Sequence, residues 1–146
     1  MYKHILIPLD GSAGAEKAIE AGIELADRAA AKVTLFTAVP ECRLRGRPGT
    51  ASEAAARWDH ERASRESAQT ILLPAAARLR AAGIQCDTAY AESNRPHAAI
   101  IDAARARGCD LIIMSSRGRS GLSKLWYGSE TRAVLRNSTI PTLVYR

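Results

Sequence analysis

The sequence predicts an α/β fold in which one parallel sheet carries helices on both faces. Three observations lead there. Apolar runs at 4–8, 32–39, 111–115 and 139–145 are short and near-continuous, as strands covered on both faces are. The stretches between strands carry the apolar spacing of amphipathic helices. The two patterns alternate as βαβαβαβαβ, with no internal repeat and no low-complexity break. The 146 residues make one domain, 1–146, large enough for a core without metal or disulfide support.

Each element has its own grounds. His4–Pro8 is the first strand, and Pro8 fits at its end, where no ladder donor is required. Asp10-Gly-Ser-Ala-Gly14 is a turn. Ser12 is expected to cap a helix over 13–30 whose stripe includes Ala18, Ile19, Gly22 and Ala26. Lys32–Val39 is the second strand, stopped by Pro40. The basic loop 43–49 reads either as a solvent-exposed connection or as a lid over an anion. Residues 52–82 are helical for most of their length, with Pro74 expected to kink or split the helix. Charges of alternating sign before Pro74 suit an exposed face, and the alanines before Gly83 are strong helix formers. A third strand covers 84–90. The stretch 92–97 opens the next helix, with Pro96 in its first turn, and Gly108 ends it. Leu111–Ser115 is strand four, Ser129–Asn137 a helix, and 139–145 the last strand.

Composition narrows the function. Hydrophobic residues are 47% and charged residues 25%, ordinary values for a globular protein. The net charge is +6, with Arg43, Arg45, Arg47, Arg117 and Arg119 prominent in the excess, which favours anionic partners. Few aromatics are available to stack bases and no nucleic-acid motif occurs, which argues against nucleic acid. The three cysteines form no Cys-x-x-Cys pair, and His4, His60 and His97 have no metal-ligand spacing. The chain enters a strand at once, without a signal peptide, and no apolar run approaches ~18 residues. A cytoplasmic location with reduced thiols is the expectation.

The chemistry concentrates in 114–129. Here a strand end passes into a helix start through Gly118, Gly121 and Gly128, with Ser115, Ser116, Ser120 and Ser129 and the cations Arg117, Arg119 and Lys124. Such a loop can aim several N–H groups at one point, and the helix N-terminus adds about half a positive charge. That is a plausible phosphate cradle. It is neither a Walker A loop nor a Gly-x-Gly-x-x-Gly fingerprint. The plainer alternative is a tight turn followed by an N-cap at Ser129.

Ser115-x2-Gly118-x9-Gly128-Ser129 resembles the nucleotide-binding pattern Gly-x2-Gly-x9-Gly-Ser/Thr of the universal stress protein family, ATP-binding branch, with Ser115 where the first glycine stands. The opening strand with its Asp10-Gly-Ser12 turn and the closing strand around Pro141 are similar to the family's two ends. The resemblance implies a doubly wound, Rossmann-like domain with a five-stranded parallel sheet of order 3-2-1-4-5, binding its ligand at the carboxyl ends of strands one and four. It also implies roles. Pro8 and Asp10 would flank the adenosine, and Val39 would offer its backbone to adenine. Met114 and Ser115 would line the ribose side. Gly118, Gly128 and Ser129 would hold the phosphates, with Arg119 and Glu130 beside them. Each has a plainer alternative: Asp10 stabilising its own turn, Val39 and Met114 as core, Ser129 as an N-cap.

The implied cofactor is ATP, with or without Mg2+ carried on its phosphates. The implied function is a nucleotide-dependent stress-response or regulatory protein, a homodimer through the edge strand 139–145. No Gly-x-Ser-x-Gly elbow occurs, and no carboxylate is evidently placed to orient a water at the γ-phosphate, so hydrolysis is expected to be slow or absent. Two alternatives stay open. One is a stress protein that has lost its nucleotide and acts through protein contacts, which Ser115 would support. The other is an adenine-nucleotide hydrolase.

Overall fold

Every residue of His4–Pro8, β1, is buried, which a strand achieves only with layers on both of its faces. The computed structural model describes residues 1–42, 47–116 and 128–146. Among these, β1 is followed by α1 (Ala15–Ala29), β2 (Lys32–Val39), α2 (Ala51–Ala81), β3 (Cys86–Glu92), α3 (Pro96–Ala106), β4 (Leu111–Ser115), α4 (Ser129–Asn137) and β5 (Thr142–Tyr145). The five strands form one sheet of order β3-β2-β1-β4-β5, and every neighbouring pair is parallel. The expected architecture and strand order are therefore the observed ones.

Alternation along the strands divides the core in two. Ile5, Ile7, Val33, Leu35 and Ile113 pack with Ile19 of α1 and Leu72 and Leu79 of α2. Leu6, Phe36, Ile112 and Met114 face the other way and pack with Ile100 of α3 and Val134 of α4. Each such side chain contributes about 1.5–3 kcal/mol by leaving water. Gly22 lets α1 lie close on the sheet, because a Cβ there would collide with Ile7 Cδ1.

The amino ends of β1 and β4 are fastened by Asp110. Its Oδ2 accepts the Lys3 N–H at 2.9 Å and its Oδ1 the His4 N–H at 3.0 Å. Beside it, buried His4 meets Thr34 Oγ1 through Nε2 at 2.8 Å. Burial first, and the Lys32 charge second, push the His4 imidazole below its ordinary value.

Several boundaries differ from expectation. The helix over 13–30 begins at Ala15 with Gly14 as its N-cap, and Ser12 does not cap it. The helix holding Pro74 is not split: α2 runs 31 residues through it. Ala68 and Leu72 before Pro74, and Ala75, Ala76 and Leu79 after it, all reach the same core. That shared burial outweighs one missing helical hydrogen bond. β3 starts at Cys86, not 84, and takes in Glu92, which the sequence assigns to the next helix. β5 starts at Thr142, not 139. Among the described residues no helix is long and apolar enough to cross a membrane.

Candidate functional site

Chain winding reverses between β1 and β4: β2 and β3 lie on one side, β5 on the other. A doubly wound sheet opens its ligand crevice there, beyond the carboxyl ends. β1 and β4 pair through Ile5 with Leu111 and Leu6 with Ile112, toward their amino ends. The turn after β1, the end of β4 and the start of α4 therefore stand at the crevice.

After β1, Leu9 still donates its N–H to the Phe36 carbonyl at 2.7 Å, so the turn begins at Asp10. Asp10 Oδ1 accepts the Ser12 N–H at 2.9 Å, an Asx turn that the side chain makes with its own backbone. Gly11 has φ +79°, and a Cβ on it would sit 3.3 Å from Ile71 Cγ1; both facts favour glycine. Ser12 is buried, and its carbonyl accepts the Ala15 N–H at 3.3 Å, which leads into α1. A cleft of about 240 Å³ borders this turn, walled by Leu9, Ile19, Ile71 and Pro74. It lies between α1 and α2 and is therefore not the crevice between β1 and β4.

After β4, the Ser116 N–H reaches the Tyr145 carbonyl at 2.7 Å, and the Ser115 carbonyl accepts Thr131 Oγ1 at 3.2 Å. Thr131 is buried in the first turn of α4. Its hydroxyl thus ties the start of α4 to the end of β4. Gly128 is the N-cap of α4 and provides no side-chain cap. Among the described residues, a Cβ on Gly128 would meet only Arg132 Nη2, at 3.9 Å.

The sequence-predicted residues fall into three groups. Asp10, Ser115, Gly128 and Ser129 stand at the carboxyl ends of β1 and β4 or at the start of α4. Pro8, Val39 and Met114 are buried; Val39 and Met114 belong to the two core clusters, and the Val39 carbonyl accepts the Ser93 N–H at 2.8 Å. Glu130 turns to α3: its Oε2 accepts the His97 backbone N–H at 2.8 Å and meets His97 Nδ1 at 2.9 Å. Gly118 and Arg119 lie outside the described residues, as do Arg117, Gly121, Lys124 and the loop residues Arg43 and Arg45. Thr131 and His97 are the working residues that sequence reasoning missed. No local signal marks them, because each acts across more than fifteen positions of chain.

Other chemistries find little here. Cys86 and Cys109 are buried, and burial pushes both thiols up, Cys109 to about 11, away from the thiolate a nucleophile needs. Among the described residues no cluster of His, Cys, Asp and Glu could hold a metal ion.

A family model described as the universal stress protein family matches residues 1–146. The chain belongs to the universal stress protein family. It is 28% identical over 151 residues to the universal stress protein YxiE of Bacillus subtilis, spanning the whole of both chains. The solved structure of MJ0577, a universal stress protein of Methanocaldococcus jannaschii, matches with TM-score 0.77 and 27% identity, covering 99% of this chain and 95% of that one. A universal stress protein of Archaeoglobus fulgidus, solved in complex with dAMP, matches with TM-score 0.68 and 18% identity over 99% and 98% of the two chains. That last likeness is one of fold.

Proposed function

We propose that this universal stress protein binds an adenine nucleotide, ATP, at the carboxyl ends of β1 and β4, and acts in the cytoplasm as a nucleotide-dependent stress-response or regulatory protein. The observation that carries the reading is that two polar, glycine-containing segments follow the carboxyl ends of neighbouring parallel strands. Asp10-Gly-Ser12 comes after β1, and Gly128-Ser129 opens α4, which Thr131 moors to the end of β4. The space around Gly128 supports it. Among the described residues nothing crowds a Cβ there, as suits a backbone that a ligand approaches closely. A fold neighbour bound to dAMP supports the class of ligand.

Each residue then takes a role. Asp10 faces the nucleoside; Ser115 lies beside the ribose. Gly128 and Ser129 take the phosphates at the α4 N-terminus, whose partial positive charge suits an anion. Gly118 and Arg119 join them on the strength of the sequence pattern. With no metal cluster of the protein's own among the described residues, Mg2+ would be carried on the phosphates. Hydrolysis is slow at most on this reading. The edge strand β5 pairs with that of a second copy.

One observation favours a second reading, a family member without nucleotide. The first glycine of the pattern is replaced by Ser115, which puts a side chain on the ribose side of the crevice. Calorimetric titration with ATP separates the two. The first reading expects saturable binding, and Gly118→Val with Gly128→Val should weaken it at least about tenfold while the helical circular dichroism stays native. A wild type that does not bind, or a folded double variant of unchanged affinity, rejects the first reading.

A further inference from the structure

We infer that Glu130 is a positioning residue: it caps α3 from the first turn of α4, and so fixes the α4 N-terminus rather than touching the nucleotide. α3 opens poorly provided. Its N-cap, Arg95, makes no side-chain cap bond, its first residue is Pro96, and its first turn holds no acid. Pro96 has no N–H, so His97 offers the first backbone donor of the helix. Glu130 Oε2 accepts that donor at 2.8 Å.

The same oxygen meets His97 Nδ1 at 2.9 Å, so this nitrogen carries the hydrogen and donates it. Both side chains are about four-fifths buried, with 20% and 19% of their surface exposed. A carboxylate at a helix N-terminus is stabilised by the dipole as well as by the hydrogen bond. Here the acid stands in the first turn of its own helix, α4, and caps the neighbouring one.

The latch completes a mooring. Thr131 holds the start of α4 to the end of β4 at 3.2 Å, and Glu130, one residue earlier, holds it to α3. Gly128 and Ser129 come immediately before these two. Under the nucleotide reading, on which the functional part of this inference rests, their placement sets the phosphate geometry. Small misplacements of such groups are costly to binding and chemistry alike.

Two variants test it. Glu130→Gln keeps an acceptor oxygen for His97, whereas Glu130→Ala removes it. Hydrogen exchange at the His97 amide and over 128–132 reads the latch; ATP titration, at a temperature where all three proteins are folded, reads its consequence. The alanine variant should exchange faster at both places and bind ATP roughly fivefold or more weakly, the scale of a lost cap. The glutamine variant should restore both to within about twofold of wild type, since an intact acceptor keeps the cap. If glutamine loses as much affinity as alanine while its exchange stays native, Glu130 is a ligand contact and the inference is overturned. Unchanged affinity in the alanine variant overturns it equally. A wild type that binds no ATP removes the nucleotide reading but not the cap. Exchange then decides alone, and native protection at His97 in the alanine variant refutes the cap.

Discussion

Asp110 illustrates how much a single carboxylate can hold. Its two oxygens accept the Lys3 and His4 N–H groups, and its own N–H returns to the His4 carbonyl at 2.9 Å. Partial burial raises its pKa, but the two backbone donors and the nearby His4 outweigh that and leave it below its ordinary value. Linkage gives the sign. A depressed folded-state pKa means the unfolded chain takes up the proton first, so the stabilisation is full above the unfolded value and fades as pH falls through the folded one. Asp110→Asn presents an NH2 group to one of the two donors. It should cost about 0.5–1.5 kcal/mol at pH 7, the scale of one net hydrogen bond, because the Lys3 donor is exposed and water can replace its partner. Urea unfolding at pH 7 and at pH 3 checks this: the gap between variant and wild type should narrow at the lower pH. A gap that is equal at both would mean the carboxylate's charge is irrelevant.

At the scale of elements, local signals and tertiary ones part company. β1, β2, β4 and α4 are legible in the sequence because their boundaries fall at Pro8, Pro40, Ser115 and Gly128-Ser129. Ser12 has the residue type of an N-cap, yet Asp10, two residues earlier, holds its N–H and the helix waits until Ala15. Glu92 suits the start of α3, but the β2 ladder extends to it through Val39, and His60 of α2 lies 3.4 Å away. Of the candidate site, Ser115, Gly128 and Ser129 are marked in the sequence by glycine spacing, and Asp10 by the Asp-Gly-Ser turn after the first strand. The Glu130–His97 and Thr131–Ser115 bonds are not, because they depend on which helices the fold sets side by side.

Pro74 gives this scale its test. It is exposed, inside a helix that continues past it on the strength of core contacts. Pro74→Ala restores one backbone hydrogen bond and helix propensity, for a gross gain of up to about 3 kcal/mol. It also frees the unfolded chain, which returns about 0.4–1 kcal/mol. A net stabilisation of about 1–2 kcal/mol, visible as a raised denaturation midpoint at unchanged slope, is the expected outcome. A loss of stability would show that the helix depends on a bend at Pro74.

For the whole molecule, the question is what covers the outer edge of β5. The Pro141 carbonyl accepts from Ile112 and the Tyr145 carbonyl from Ser116, so residues of that parity face β4. Thr142 and Val144, of the other parity, turn their N–H and C=O outward. The donor missing at Pro141 therefore lies on the β4 side and leaves the outward groups of Thr142 and Val144 in place, which no strand pairs among the described residues. Leu143 and Tyr145 are 39% and 37% exposed on this strand, and Leu135 of α4 is 50% exposed. An open edge with apolar side chains invites pairing. Two copies related by a two-fold axis near Val144 would close it, whereas an open arrangement would build fibres. Val144→Pro removes an outward N–H and spares the inward ladder, a position where an edge strand tolerates proline. By symmetry two hydrogen bonds go, together about 1–3 kcal/mol, or roughly tenfold to hundredfold in the dimer dissociation constant. Sedimentation equilibrium of wild type and variant across a wide concentration range measures that shift, with circular dichroism confirming the fold. A wild type that is monomeric at tens of micromolar, or a folded variant that dimerises as tightly as wild type, would remove β5 from the interface.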